Sequence, residues 1–191
     1  MWNWLVRSLS VGATVVLYDG SPFYPDKNAM WDMVDELDIT VFGTSAKFID
    51  ACNDVNVRLG ENSDLSNLRA ILSTGSPLVD ENFDYIYEHI KNDILLGSIS
   101  GGTDIISCFA VANPMLPVYR GELQCRGLAM DVHAYSPSGK STINQKGELV
   151  CKSPFPSMPI YFWNDENGSK YQKAYFDHYP GVWHHGDFIE L

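Results

Sequence analysis

Cysteine pairs and long apolar runs are both scarce in this sequence. Its four cysteines are scattered, and none lies within four residues of another, which excludes the CxxC pairs of zinc and redox sites. Two disulfides can be drawn among them, but scattered reduced thiols are more typical of a cytoplasmic protein. No run of 18 apolar residues and no basic segment leading into an apolar one occurs, which argues against a membrane span and a secretory signal. We therefore expect a cytoplasmic protein.

Basic residues are also few. Lysine and arginine number 13 against 24 acids, giving a formal net charge of −11. Non-specific nucleic-acid binding and attachment to an anionic membrane both need a basic face, so neither is expected. An anionic small molecule such as a nucleotide stays possible, because backbone N–H groups or a bound cation can outweigh the global charge.

The residues present suit a globular chain with an α/β core. Hydrophobic residues make up 45% of the 191 positions and charged residues 19%. Nearly continuous apolar runs at 13–20, 38–45, 68–76 and 93–100 are typical of strands buried on both faces of a parallel sheet. Between these runs apolar residues recur at helical spacing, with Asp26, Ser45 and Asp80 as candidate N-caps.

This alternation predicts βαβ units and a mostly parallel sheet over about residues 1–105. From 106 to 191 strand-length runs are joined by turns rich in Pro, Ser and Gly, with a short helix near 170–178 and a final strand. We expect a smaller antiparallel β module there.

Two of the predicted strand ends carry small polar residues. They are the segments STGSP at 73–77 and SISGGTD at 98–104. Ligands of an open parallel sheet bind beyond the carboxyl ends of its strands. Glycines let a ligand approach the backbone, Thr103 offers a hydroxyl, and Asp104 offers a carboxylate for a hard cation. The pattern suits a phosphate with Mg²⁺, and it suits equally two ordinary tight turns.

Two other motifs are weaker. AYSPSGKST at 134–142 imitates a phosphate-binding P-loop, but strand-like residues follow it instead of a helix, so we expect a hairpin loop. His184 and His185 are adjacent on a predicted strand, so their side chains point to opposite faces and do not share one metal ion easily.

In their order, several motifs resemble the acyl-adenylating superfamily of acyl-CoA synthetases, luciferases and peptide-synthetase adenylation domains. They are LRAILSTGSPL, LLGSISGGTDI, GELVCKS and GVWHHGDFIEL. The stretches MWNWLV, VVLYDGSP and FWNDENGSKYQKAYF extend the likeness across the chain, and they resemble the branch that activates acetoacetate.

The resemblance implies a nucleotide site. Ser100 falls where many relatives stack an aromatic ring on adenine, Thr103 matches the catalytic threonine that contacts the α-phosphate, and Asp187 matches the aspartate that binds the ribose hydroxyls. The segment expected along the adenosine is Gly75, Ser76 and Pro77.

The resemblance also implies a metal ligand and an acyl pocket. Asp104 matches an acid, usually glutamate, that holds Mg²⁺. Gly101 falls where acetate-using relatives place a bulky aromatic, so its lack of a side chain makes room for acetoacetate, and Thr74 lines the same pocket.

The implied enzyme is an acid–thiol ligase using ATP, acetoacetate and CoA, with AMP as a product. The family's phosphate loop and its C-terminal lysine domain have no match in these residues, so we expect an internal fragment that is inactive alone. Two alternatives stay open: a non-catalytic adenylate-binding or scaffold domain, and an unrelated α/β domain whose strand ends are structural turns.

Overall fold

The structure, a computed structural model, describes residues 2–59 and 63–191. The chain forms two compact units. The first unit comprises Met1–Gly101 and Ala110–Cys125, and the second comprises Gly102–Phe109 and Arg126–Leu191.

A three-stranded parallel sheet forms the centre of the first unit. Its strands are β1 (Val41–Ser45), β2 (Ala70–Thr74) and β3 (Leu95–Ser98), in the order β1-β2-β3. Ser45 of β1 pairs with Thr74 of β2, and Ser73 pairs with Ser98 of β3. The carboxyl ends of the three strands therefore lie at one edge of the sheet.

Three helices contribute to the same core: α2 (Ala29–Glu36), α3 (Ala46–Asp54) and α4 (Asp80–His89). Their apolar faces bury Trp31, Ile49 and Ile86 with the strand residue Ile71, all at most 1% exposed. Helical spacing of apolar residues in each segment predicts this face, because positions three and four apart line one side of a helix.

The predicted helix starts are correct at one of three positions. Ser45 is the N-cap of α3, and its hydroxyl accepts the Phe48 N–H at 3.2 Å. Asp80 is the first residue of α4 instead of its cap. The carboxylate of Asp26 accepts the Asn28 N–H in the turn before α2, so it orders the approach to that helix without capping it.

The strand predicted at 13–20 is wrong. Helix α1 (Trp2–Ser8) and the 3₁₀ turn Leu9–Val11 precede this segment, which is irregular. Its apolar residues Val16, Leu17 and Tyr18 are 39–56% exposed. An apolar run becomes a strand only where another strand accepts its backbone hydrogen bonds, and no strand in the described parts of the chain pairs with this run.

An antiparallel sheet forms most of the second unit. Its strands are β7 (Val132–Tyr135), β8 (Ser141–Thr142), β9 (Gly147–Cys151) and β10 (Trp183–Ile189), in the order β10-β9-β7-β8. The short helix α5 (Ser169–Tyr175) precedes β10. Phe109, Val132, Leu149 and Trp183 form the core of this unit, each at most 1% exposed.

A third sheet has the order β4-β5-β6, from β4 (Ser100–Gly102), β5 (Ser107–Val111) and β6 (Cys125–Arg126). The expected α/β class, parallel first and antiparallel after, is confirmed. Residues 134–142 form the expected hairpin between β7 and β8. The division of the chain at residue 105 stays a prediction.

In the described parts of the chain, no helix combines the length and the apolar character needed to cross a lipid bilayer. The four cysteines, Cys52, Cys108, Cys125 and Cys151, are all free thiols.

Candidate functional site

In the first unit the candidate residues follow the end of β2. Thr74 is its last residue and is half-buried, and Gly75, Ser76 and Pro77 after it are exposed. Gly75 has φ +90°, and a Cβ built there would meet no atom within 4 Å. Because L side chains rarely adopt this φ, glycine lets the chain leave the strand sharply. The result is a stretch of open main chain beside the strand end.

The neighbouring strand end belongs to β3. Its last residue, Ser98, is buried beside Ser73, and the Ile99 N–H donates to the Ser73 carbonyl at 2.9 Å. Ser100 and Gly101 come next, in β4, and both are half-buried. Small residues thus follow both β2 and β3, as the motifs predict. The assignment of Thr74 and Gly101 to an acyl pocket stays a prediction.

In the second unit the first candidates lie in the turn between β4 and β5. Thr103 is exposed, and Asp104 is half-buried. Asp104 Oδ1 accepts the Ile105 N–H at 3.1 Å, and Oδ2 accepts the Tyr175 hydroxyl at 2.5 Å. A carboxylate offers about four lone-pair positions, so both oxygens keep the capacity to bind a cation.

Tyr175 ends helix α5 and is fixed by aromatic packing. Its ring stacks on Trp183 of β10, with centroids 3.7 Å apart and planes 14° apart. Burial, followed by the hydrogen bond to Asp104 and the charge of that carboxylate, raises the pKa of Tyr175 above its ordinary value. The phenol therefore stays protonated and acts as the donor to Asp104.

The start of α5 is held by another carboxylate. Asp165 is 8% exposed and accepts the Lys170 N–H at 3.0 Å and the Tyr171 N–H at 2.8 Å. Burial raises the pKa of Asp165, but these backbone hydrogen bonds outweigh it and hold that pKa below its usual range. A charged cap at the first turn is favourable because the free N–H groups there carry partial positive charge.

Asp187 lies on β10 with its side chain 60% exposed. The imidazole of His185 is 13% exposed, and its Nε2 lies 3.9 Å from Asp187 Oδ2. The Trp183 indole N–H donates to His185 Nδ1 at 3.4 Å. Since Nδ1 accepts this hydrogen bond, a neutral ring carries its hydrogen on Nε2, facing the Asp187 carboxylate.

Gly102 brings these groups together. A Cβ built there would lie 2.1 Å from Asp104 Oδ1 and 3.0 Å from His185 Cε1. The Asp104 carboxylate and the His185 ring therefore share the space over Gly102, and the second unit gathers both predicted acids, Asp104 and Asp187, around His185.

The donor set around Asp104 fits one kind of metal site. In the part of the chain that the structure describes, no three His, Cys, Asp or Glu side chains are grouped to hold a metal ion. Mg²⁺ needs no such cage, because it binds through one or two carboxylates together with substrate phosphates and water. Asp104 fits that role, while a structural zinc site would need more ligands.

The two adjacent histidines face different ways, as predicted. His184 Nε2 lies 3.0 Å from Glu148 Oε2 on the paired strand β9. His185 packs edge-on against Phe109, with centroids 4.6 Å apart.

One hydrogen-bonded cluster has no counterpart in the sequence motifs. His133 Nε2 lies 2.9 Å from Asp131 Oδ1, Ser141 Oγ lies 3.2 Å from His133 Nδ1, and the Ser153 hydroxyl donates to Asp131 Oδ2 at 2.8 Å. These bonds connect β7, β8 and the segment after β9. We infer that these hydrogen bonds stabilise the β7–β8 hairpin.

Sequence motifs also missed the residues that support the two acids. Trp183 and His185 alternate along β10 and so share one face of the strand, a signal that could have placed them together. Tyr175 lies 71 positions from Asp104, and only the packed structure reveals their contact.

Comparison with known proteins gives consistent matches. The family model of the AMP-binding enzymes matches residues 1–162. The chain is 54% identical over 191 residues to the acetoacetyl-CoA synthetase of Gallus gallus, and 54% identical over 190 residues to the acetoacetyl-coenzyme A synthetase of Rhizobium meliloti (strain 1021). Each match covers 100% of this chain and 29% of the relative's length.

A solved structure is similar as well. The structure of acetoacetyl-CoA synthetase from Streptomyces lividans matches with a TM-score of 0.92 and 47% identity, over 100% of this chain and 30% of that one. The chain therefore spans less than a third of the length of these similar proteins.

Proposed function

Since the chain belongs to the AMP-binding enzyme family, we propose that it forms the adenosine- and acyl-binding part of an acid–thiol ligase acting on acetoacetate. The substrate is proposed from the identity of 54% to acetoacetyl-CoA synthetases over the whole chain. The observation that carries the site is the grouping of Asp104 and Asp187 around His185.

Different residues are proposed to contact the adenosine, the ribose hydroxyls and the α-phosphate of the nucleotide. The exposed main chain of Gly75, Ser76 and Pro77 offers a surface for adenosine, with Ser100 beside the adenine. Asp187 accepts hydrogen bonds from the ribose hydroxyls, which suits an exposed carboxylate on a strand. Thr103 donates to an α-phosphate oxygen from its turn, where its side chain is exposed.

The proposed reaction has two steps. A carboxylate oxygen of acetoacetate attacks the α-phosphorus of ATP and pyrophosphate leaves, and then the CoA thiolate attacks the acyl carbonyl and AMP leaves. Phosphoryl transfer asks the protein for positioning and charge neutralisation. Thr103 and Asp187 hold the nucleotide in place, and Asp104 would hold Mg²⁺, which would supply charge neutralisation at the phosphates.

Specificity for the acid is assigned to the acyl pocket. We place Thr74 and Gly101 along its wall, where the missing side chain at 101 leaves space for the acetyl end of acetoacetate.

The four free thiols support a cytoplasmic location, where thiols are kept reduced.

Titration of the chain with AMP and with a non-hydrolysable acetoacetyl-adenylate analogue tests the substrate assignment. Gly101→Trp is expected to weaken binding of the analogue by about tenfold or more, equivalent to ~1.4 kcal/mol, and to leave AMP binding intact. Retained AMP binding shows that the variant is folded. Unchanged binding of the analogue by this variant would contradict the acyl-pocket assignment.

Pyrophosphate exchange with acetoacetate addresses the alternative of a non-catalytic domain. We expect no exchange by these 191 residues alone and exchange by the longer protein that contains them. A longer protein that binds AMP without exchange would favour the scaffold alternative.

A further inference from the structure

We propose that Tyr175 is a positioning residue that orients the Asp104 carboxylate for its cation. The metal role of Asp104 belongs to the proposed function, and the inference rests on it. The contact between the two side chains stands on the geometry of the second unit alone.

A short hydrogen bond joins the two side chains. The Tyr175 hydroxyl donates to Asp104 Oδ2 at 2.5 Å, within the range of a charge-assisted O–H to carboxylate bond. The Ile105 N–H donates to the other oxygen. With one donor on each oxygen, rotation of the carboxylate about its Cβ–Cγ bond is restricted.

The donor, Tyr175, is held rigidly by its neighbours. Tyr175 stacks on the buried Trp183 and meets Phe162 and Tyr171 edge-on, with ring centroids 5.7 and 5.6 Å away. Its helix is anchored at the other end by the Asp165 cap. A phenol held in this way offers its proton from a fixed point, so the bond to Asp104 costs little side-chain entropy.

The acid at position 104 has a short side chain. Aspartate is one methylene shorter than glutamate and has fewer rotatable bonds, so it cannot adjust its reach to a cation as easily. The space over Gly102 lets the Asp104 carboxylate adopt its position, since a Cβ there would lie 2.1 Å from Oδ1. The structure thus combines a short acid, an open space and a fixed donor.

The Asp104 carboxylate can therefore accept both hydrogen bonds and still bind a cation. Two lone pairs accept the Tyr175 and Ile105 donors, and the remaining two stay available to a cation. Supporting hydrogen bonds of this kind orient metal ligands, and their loss typically costs 10–100-fold in metal affinity or activity.

The first arm of the test is a double-mutant cycle in ligand-free protein with EDTA. Melting temperatures are compared for the parent chain, Tyr175→Phe, Asp104→Ala and the double variant. We expect the double variant to lose clearly less than the sum of the two single losses, because either change alone breaks the bond. Additive losses would overturn the contact.

The second arm measures binding of a non-hydrolysable ATP analogue with Mg²⁺ and with EDTA. Tyr175→Phe is expected to weaken binding about 10-fold or more in Mg²⁺ and to change the dissociation constant little in EDTA. Tyr171→Phe is the matched control, since its hydroxyl lies on the same helix and donates to the Pro159 carbonyl. Equal effects of the two substitutions in Mg²⁺ would overturn the positioning role.

The two arms separate the inference from the proposed function. If the parent chain fails to bind the analogue under both conditions, the proposed function and the metal role of Tyr175 are contradicted together. A non-additive cycle in the first arm would then still establish the Tyr175–Asp104 contact.

Discussion

In the first unit the candidate residues are small and lie on or near exposed main chain, whereas in the second the two candidate acids, Asp104 and Asp187, lie beside packed aromatic and histidine side chains. Gly75 and Ser76 owe their placement to where β2 ends. Asp104 accepts the Tyr175 hydroxyl, and Asp187 Oδ2 lies 3.9 Å from His185 Nε2. Tyr175 and His185 both stack against Trp183.

The difference follows from the two kinds of sheet. Parallel strands end together at one edge, so the register of β1, β2 and β3 suffices to align their ends. The second unit has a short helix and a turn beside its antiparallel strands, and there side-chain packing must hold the acids. We therefore expect substitutions of packed side chains to disturb the second group most.

Trp183→Ala should have the largest effect, because Trp183 is 1% exposed and stacks on Tyr175. Removing a buried aromatic side chain typically costs about 3–5 kcal/mol. Urea unfolding of the variant measures the loss, and Trp183→Phe should restore part of it. A loss within ~0.5 kcal/mol, the size seen at ordinary surface sites, would show that this stack does not support the second unit.

Gly97→Ala tests how tightly β3 is packed in the first unit. The added Cβ would lie 2.4 Å from the Ala112 Cβ and 3.0 Å from Leu72 Cδ2, and overpacking of this kind costs about 1–3 kcal/mol. Gly43→Ala on β1 is the matched control, because a Cβ there meets nothing within 4 Å. Equal unfolding free energies for the two variants would contradict close packing at β3.

Ser45→Ala removes the cap of α3 at the end of β1. Loss of the hydrogen bond from Phe48 N–H should lower the unfolding free energy by about 1 kcal/mol. Ser45→Asp keeps an acceptor at the same place and should retain most of the stability. If both substitutions cost the same, the hydroxyl does not act through the cap.

The smallest effect is expected at the β7–β8 hairpin and depends on pH. Hydrogen bonds from Ser153 and His133 hold the pKa of Asp131 below its usual range. A lowered pKa in the folded state stabilises the fold above the unfolded value of about 3.9. That contribution is lost as the pH falls through the folded-state pKa.

Asp131→Asn should therefore lower stability at neutral pH and flatten its decline in acid, measured as melting temperature between about pH 7 and 2. Ser153→Ala should reproduce part of the change, because it removes the larger cause of the lowered pKa. An acid decline as steep in Asp131→Asn as in the parent would contradict the assignment.

Much of the first unit could be predicted from sequence, since β1, β2, β3 and the helices between them each carry a regular apolar period. The run at 13–20 is also apolar, but it pairs with no strand in the described parts of the chain, and composition alone does not supply a partner. Motifs identified the strand-end residues because those are local. The contact of Tyr175 with Asp104 is set by tertiary packing across 71 positions, which no local pattern records.

Titration calorimetry of AMP into the parent chain and into Asp187→Ala tests whether this part of the chain binds adenosine through Asp187. We expect binding by the parent and a loss of about 10–100-fold in Asp187→Ala, the cost of removing hydrogen bonds to a charged group. Asp177→Ala, which removes an exposed acid of the same unit, should bind AMP like the parent. No binding by the parent would contradict the proposed nucleotide site, and equal affinities for the parent and Asp187→Ala would contradict the ribose contact of Asp187.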